Sequence, residues 1–419
     1  MDWDPIRYAH NGDVSIAYTA GGRGPVDILV ISGFVGHLEI GMAHPLAARL
    51  LVPREFGALT ALFGIILVGT VAQLGLQAVT GRRLAVAPQS RGEIIADTVR
   101  VTALAASAVG LAVAATTVVM TPALRLDSHW PVILCGATLV PMTVMGAQSG
   151  IAQGTSRWGL LIAIYVGNGL GRMVGGTVGL LISPTPTSAM IGIAIGAWTP
   201  VVAGVPLLRG HLTASNRARS RRSMLREALL SSSTLLAFFV LSNLDALVAR
   251  NILDGDDSGL YASGLILAKA AFFLPQFVSV VLFPDLARAT THRARSRATS
   301  LVVLLGVLTV AGTLALPQLA LILVGGGEYE AIRDRLWLFA LAGSLLAVVY
   351  LLVFDALARH AHGVLVMIWG AVAAVLASAY GLDVGITGLV VTIIAVVGTL
   401  AVVVGAAPLL SRPKPTRTD

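Results

Sequence analysis

Lysine and cysteine are almost missing from this chain. Of its 29 Lys and Arg residues in 419, only Lys269 and Lys414 are lysine. Cys135 is the only cysteine, which excludes an intrachain disulfide and a thiolate metal cluster. Within its apolar run it reads as a small packing residue. Charge of either sign is scarce, at 12% of residues, while 56% are hydrophobic. The histidines form no metal-ligand pattern: His360 and His362 are two apart and would face different sides of a helix. The start, Met1 to Gly24, is polar and mixed in charge, so no cleavable leader is expected there. The nucleophile elbow G-x-S-x-G does not occur; Gly146-Ala147-Gln148-Ser149-Gly150 has the wrong spacing and lies inside an apolar run. No catalytic residue, metal or cofactor is expected from these residues.

The chain does contain apolar runs of about 20 residues, the length that crosses a hydrocarbon layer about 30 Å thick. They read as Phe56 to Val79, Val101 to Leu124, Trp130 to Ala152, Trp158 to Ile182 and Ser188 to Leu208 in a first half. Leu229 to Ala249, Leu260 to Phe283, Leu301 to Val324, Leu336 to Phe354, Val364 to Tyr380 and Ile386 to Leu410 follow in a second. A twelfth candidate, residues 28–51, is interrupted by His37, Glu39, His44 and Pro45. The expected fold is an all-α polytopic membrane protein of 11–12 transmembrane helices.

The charges between the runs alternate in sign. Arg82, Arg83, Arg91 and Arg100 share one gap, and Arg217, Arg219, Arg221, Arg222 and Arg226 another. Arg288, Arg293, Arg295 and Arg297 form a third group, and the tail carries Arg412, Lys414 and Arg417. The intervening gaps hold Arg125 with Asp127, then Asp254, Asp256 and Asp257, then a balanced 328–335 segment, then Asp383. Positive loops face the cytoplasm, so the arginine side and the C-terminus are expected there. The net charge of +8 is explained the same way, and nucleic acid is not an expected partner. Trp130, Trp158 and Trp337 lie near span ends, as interfacial anchors do.

A weak internal repeat divides the chain. Ala48-Arg49-Leu50-Leu51, an acidic turn at Glu55 and Gly57 are echoed by Ala249-Arg250-Asn251-Ile252, acidic residues at 254–257 and Gly259. The arginine-rich 209–228 segment reads as a linker between a bundle at 46–208 and a second at 229–410, with a tail at 411–419. Paired halves of this kind are common in transporters, where the substrate site lies between them.

Asn243-Leu244-Asp245, Ala249-Arg250 and Gly259-Leu260-Tyr261, with Pro275, Phe283-Pro284 and Arg288, are similar to the seventh-to-eighth helix region of a known group. Over roughly residues 47–410 the chain resembles polysaccharide and lipid-linked oligosaccharide flippases of the multidrug/oligosaccharidyl-lipid/polysaccharide exporter superfamily. That resemblance implies two six-helix halves around a central cavity and alternating access for a polyprenyl-pyrophosphate-linked glycan in the cytoplasmic (inner) membrane. The lipid bilayer and cell-envelope glycosyltransferases are the partners it implies. A cation-coupled multidrug exporter of the same fold is the alternative. Residues 7–45 differ: Arg7-Tyr8-Ala9, Gly12 to Tyr18, Gly24-Pro25, Asp27 to Val30 and Gly33-Phe34 are similar to the opening strands of an α/β-hydrolase. The likeness stops before any nucleophile, and the segment replaces much of the first helix. A membrane-bound hydrolase or a non-functional fusion product are the remaining alternatives.

Charges deep in apolar runs mark the candidate site, because each is costly in hydrocarbon. Arg172 lies near the middle of its run, with Asn168 one helical turn before it on the same face. Lys269 is the counterpart in the second half. Arg172, Lys269 and Asn168 are expected to contact substrate, since guanidinium and ammonium groups both suit phosphate oxygens. Asp245 is expected to form a structural or gating pair, with Lys269 as one partner. Gln148, Gln153 and Gln276 are candidates for sugar contacts or polar helix packing. Gly167, Gly171, Gly175 and Gly179, four apart, form a stripe on which a neighbouring backbone can lie.

Overall fold

The computed structural model describes residues 7–11, 14–18, 45–208, 218–288, 292–358, 363–382 and 384–410. Apart from an antiparallel hairpin of Arg7–Asn11 with Val14–Tyr18, in which Arg7 pairs with Tyr18, its elements are helical. Residues 45–50 form a helical turn. The first half then consists of α1 (Pro53–Val86), α2 (Arg91–Ala115), the short α3 (Thr117–Ala123), α4 (Trp130–Gly154), α5 (Trp158–Ile182), α6 (Pro186–Gly196) and α7 (Thr199–Gly204). The second consists of α8 (Ala218–Ile252), α9 (Gly255–Arg288), α10 (His292–Ala315), the short α11 (Pro317–Val324), α12 (Leu336–Ala358), α13 (Gly363–Gly381) and α14 (Ile386–Leu410).

Among the described residues, nine helices are long and apolar enough to cross a membrane, or ten if α10 and α11 count as one bent span. The chain is a multi-pass membrane protein. α5 is not among those nine. It is as long as α4, at 25 residues, but carries the buried Asn168 and Arg172. The first-half run expected at residues 101–124 starts a helix earlier, at Arg91, and ends in α3. The 301–324 run is broken: Pro317 cannot continue the preceding helix, and the axis turns by 99° there. The linker segment is helical from Ala218 onward; residues 209–217 lie outside the described part, as do most of the candidate span at 28–51, with Glu39, and His360 with His362.

Local chemistry starts the helices where it should. Pro53 sits at the first position of α1, with Glu55 in its first turn and Arg83 in its last, each complementing the helix dipole. The Thr185 hydroxyl accepts the Ser188 N–H at 3.2 Å to cap α6, beside Pro186.

α1 is the spine of the molecule. It packs along α4 of its own half and along α8 and α9 of the other. The halves pack with different emphasis, although Gly343 of α12 also lies directly against the Ala268 backbone of α9 in the second. In the first, helices meet backbone to backbone: a Cβ on Gly171, Gly175 or Gly179 of α5 would collide with the carbonyl of Gly196, Gly192 or Ser188. The glycine stripe is therefore a packing seam. In the second half aromatic rings fill the space, with Phe238, Phe272, Phe273 and Tyr350 at centroid distances of 4.9–5.9 Å and Tyr261 on Phe339 at 5.0 Å.

Candidate functional site

Polar groups inside a bundle of this composition must have a partner or a purpose, since an unsatisfied one costs several kcal/mol in hydrocarbon. Two clusters stand out, one in each half.

The first is on α5. Arg172 is 8% exposed and Asn168, four residues before it, is 6% exposed. Both face inward, not toward the lipid. The Arg172 Nη1 lies 3.6 Å from the Met142 sulfur of α4, a soft contact. The Asn168 side-chain oxygen is buried and accepts no hydrogen bond. Gly171, next to Arg172, lies in the α5–α6 seam against the Gly196 carbonyl, which fixes the helix that carries the arginine.

The second cluster is on α8 and α9. The Lys269 ammonium donates to the Ser242 carbonyl at 2.5 Å and to Asn243 Oδ1 at 2.9 Å. Asp245, 5% exposed, is an electrostatic neighbour of Lys269, and its Oδ1 accepts the Ala246 N–H at 2.9 Å. Tyr261 is buried beside them, an electrostatic neighbour of Asp245 whose hydroxyl has no hydrogen-bond partner. Two of the three ammonium donors are thus held by the chain. Arg172 and Lys269 stand in opposite halves, one per bundle.

The glutamines divide. Gln148 donates to the Val201 carbonyl at 3.0 Å, and its side-chain oxygen is buried without a partner. Gln153 accepts from Gln77 at 3.4 Å, and Gln77 also donates to the Tyr165 hydroxyl at 2.9 Å, so this group ties α1, α4 and α5 together. The side chain of Gln276 lies outside the described residues. Among the described residues, no group of three or more His, Cys, Asp or Glu comes together as metal ligands.

Three residues that the pattern of runs passes over matter as well. Glu227, on α8, pairs across the halves with Arg82 and with Arg83, whose Nη2 lies 2.9 Å from it. Asp97 of α2 is buried, is an electrostatic neighbour of Arg83, and keeps one carboxylate oxygen without a hydrogen bond. Arg250 is 3% exposed at the other end of α8. All three sit near run ends, where a charge reads as part of a loop. The available signal for Arg250 was the repeated Ala-Arg pair.

The fold is shared with known transporters. An inward-facing multidrug resistance MATE family transporter of the MOP superfamily superposes with a TM-score of 0.69 at 11% identity, over 90% of this chain and 96% of that one. The lipid II flippase MurJ, in an inward closed conformation, gives 0.73 at 11% identity, over 92% of this chain and 88% of that one. An outward-facing MATE transporter gives 0.61 at 14% identity, over 92% and 96%. No family model matches the sequence, and no curated protein matches it at a significant level. The class the fold defines is therefore the MATE- and MurJ-like architecture.

Proposed function

We propose that the protein is a membrane transporter that flips a polyprenyl-pyrophosphate-linked glycan across the cytoplasmic membrane by alternating access, with the arginine-rich loops and the C-terminus in the cytoplasm. The observation that carries this reading is the buried Arg172, with Asn168 one turn behind it, in a fold shared with a lipid II flippase. A pyrophosphate suits that pair: the guanidinium donates a fork of N–H groups, and the Asn168 amide supplies a further donor. Lys269, from the opposite half, adds positive charge through its remaining donor, while Ser242, Asn243 and Asp245 hold its amine in place. Asp245 is then a structural or gating partner of Lys269. Glycan hydroxyls would meet polar groups of the cavity, and the polyprenyl tail would stay in lipid between helices. Residues 7–45, the hydrolase-like fragment, contribute no chemistry to this cycle.

The test is a leaflet-accessibility assay with a labelled polyprenyl-pyrophosphate glycan in vesicles. Translocation should fall at least tenfold in Arg172→Ala, in line with roughly 1.5–3 kcal/mol for a charged hydrogen bond lost at a desolvated site, and partly recover in Arg172→Lys. Unchanged translocation in Arg172→Ala would remove the arginine from the site. Drug export driven by a cation gradient, with no glycan movement, would replace this reading with the multidrug exporter. No transport by the full chain in either assay would favour the non-functional fusion.

A further inference from the structure

The repeated Ala-Arg turn, which the substrate reading leaves unused, has a geometry of its own. The two copies meet at the acidic end of the molecule. A Cβ on Gly57 would come within 2.7 Å of the Ser258 hydroxyl, and one on Gly259 would run into the backbone of Pro53, so the turns rest directly on each other across the halves. From each turn an arginine reaches into the opposite half. Arg250 donates to the carbonyls of Leu124 (2.8 Å), Arg54 (3.0 Å) and Arg125 (3.2 Å), and to the Ser258 hydroxyl at 3.0 Å. Arg49 donates to the Ile322 carbonyl at 2.9 Å.

The acceptors correspond. Leu124 is the residue at the C-terminal cap of α3, and Ile322 lies in the last turn of α11, the short helix in the matching place of the second half. The last carbonyls of a helix have no intrahelical partner and carry the negative end of its dipole, so each guanidinium plugs a socket suited to a cation. Further bonds cross at the same level: Arg125 to the Leu253 carbonyl at 2.7 Å, Asn251 to the Ala123 carbonyl at 2.8 Å, and Tyr329 to the Ala48 carbonyl at 3.0 Å.

We propose that the duplicated arginines, Arg250 and Arg49, are the latches of a gate that seals the acidic end and releases when that end opens. The proposal rests only on the alternating-access part of the reading above, not on the glycan. Each latch binds neutral carbonyls of the other half, so it can be withdrawn without leaving an unpaired carboxylate behind. The two are unequal: Arg250 makes three bonds to first-half carbonyls and is buried, while Arg49 makes one and is exposed.

The test measures distances by pulsed electron paramagnetic resonance in nanodiscs. Cys135 is the only native thiol, so Cys135→Ala gives a clean background. One labelled pair, Asp127→Cys with Asp257→Cys, reports the acidic end, since both residues are exposed and stand in opposite halves. A second pair, Gln89→Cys with Arg222→Cys, reports the arginine end. Arg250→Ala should raise the ratio of open to closed distances at the acidic end by roughly tenfold or more, the effect of losing one charged hydrogen bond or more. Arg49→Ala should give a smaller rise and Arg250→Lys an intermediate one. If Arg250→Ala does not fold, Arg49→Ala and Arg250→Lys carry the same comparison. A lowered melting temperature with unchanged distances at the acidic end in the folded variants would overturn the proposal and make the arginines static ties. The readout needs no substrate, so it stands apart from the translocation assay.

Discussion

The two ends of this molecule join the same two halves by opposite chemistry. At the acidic end, guanidinium groups donate to backbone carbonyls, and Arg250 does so with 3% of its surface exposed. At the arginine-rich end, Arg82 and Arg83 pair with the Glu227 carboxylate, whose side chain is 22% exposed. Buried bonds to neutral acceptors feel little screening, whereas a part-exposed ion pair is weakened by salt and contributes about 0–1 kcal/mol. The helices differ in the same sense. Near the acidic end α1 and α9 touch through glycine and backbone; further along, a Cβ on Gly75 of α1 would meet the Ser232 side chain of α8, which can turn aside more readily than backbone. The lesson is that the acidic end is the fitted joint, and the arginine end is held by adjustable contacts.

The strongest way to break that contrast is to crowd the fitted joint. Gly259→Val should drive two methyl groups into the Pro53 backbone and lower the melting temperature, with a cost of roughly 1–3 kcal/mol typical of overpacking. Gly81→Ala, near the opposite end of α1, is its control. A Cβ there meets the Gly150 carbonyl at an ordinary 3.5 Å, and alanine gains helix propensity, so stability should hold or rise. Equal losses in both variants would show that the joint between the halves at the acidic end is no tighter than the α1–α4 packing within the first half.

Next in size is the response of each end to salt. Arg250→Ala should lower stability by about the same amount in low and high salt, because its partners are carbonyls in a dry setting. A loss that vanishes as salt rises would mean that the arginine acts through charges nearby, not through the sockets.

How far the sequence made this readable depends on which physical signal each part carries. The apolar runs and the inward-facing Arg172–Asn168 pair follow from hydropathy and helical spacing, because burying a charge in an apolar run is rare, and the division into halves follows from the Ala-Arg repeat and the arginine-rich break. The glycine seam of α5 was readable for the same reason: residues four apart share a face. The break at Pro317 and the split of the 101–124 run were not, since an apolar stretch keeps its hydropathy when its axis bends. Glu227 and Asp97 were passed over because charges near the end of a run look solvated; only the packing of α1 against α2 and α8 brings them to Arg83. The Ala-Arg repeat was visible as a duplication, but its purpose was not, because the carbonyls that Arg49 and Arg250 reach lie 125 or more residues from the arginine that binds them and carry no sequence mark.

The smallest effect tests the adjustable end. Glu227→Gln removes the carboxylate from Arg82 and Arg83 but keeps a side-chain oxygen able to accept one hydrogen bond. Because the pair is part-exposed, the loss should be about 0.5–1 kcal/mol at low salt and should shrink toward zero near 0.5 M, where the Debye length is roughly 4 Å. Arg83 also feels the buried Asp97 on its own half, and that carboxylate keeps an unfilled acceptor. Freed from Glu227, the Arg83 guanidinium should swing toward Asp97, which would limit the cost further. The double variant Glu227→Gln with Asp97→Asn should therefore lose more than the sum of the two single changes. Simple additivity would mean that Arg83 does not move between the two acids, and that the arginine end is as fixed as the joint at the other side.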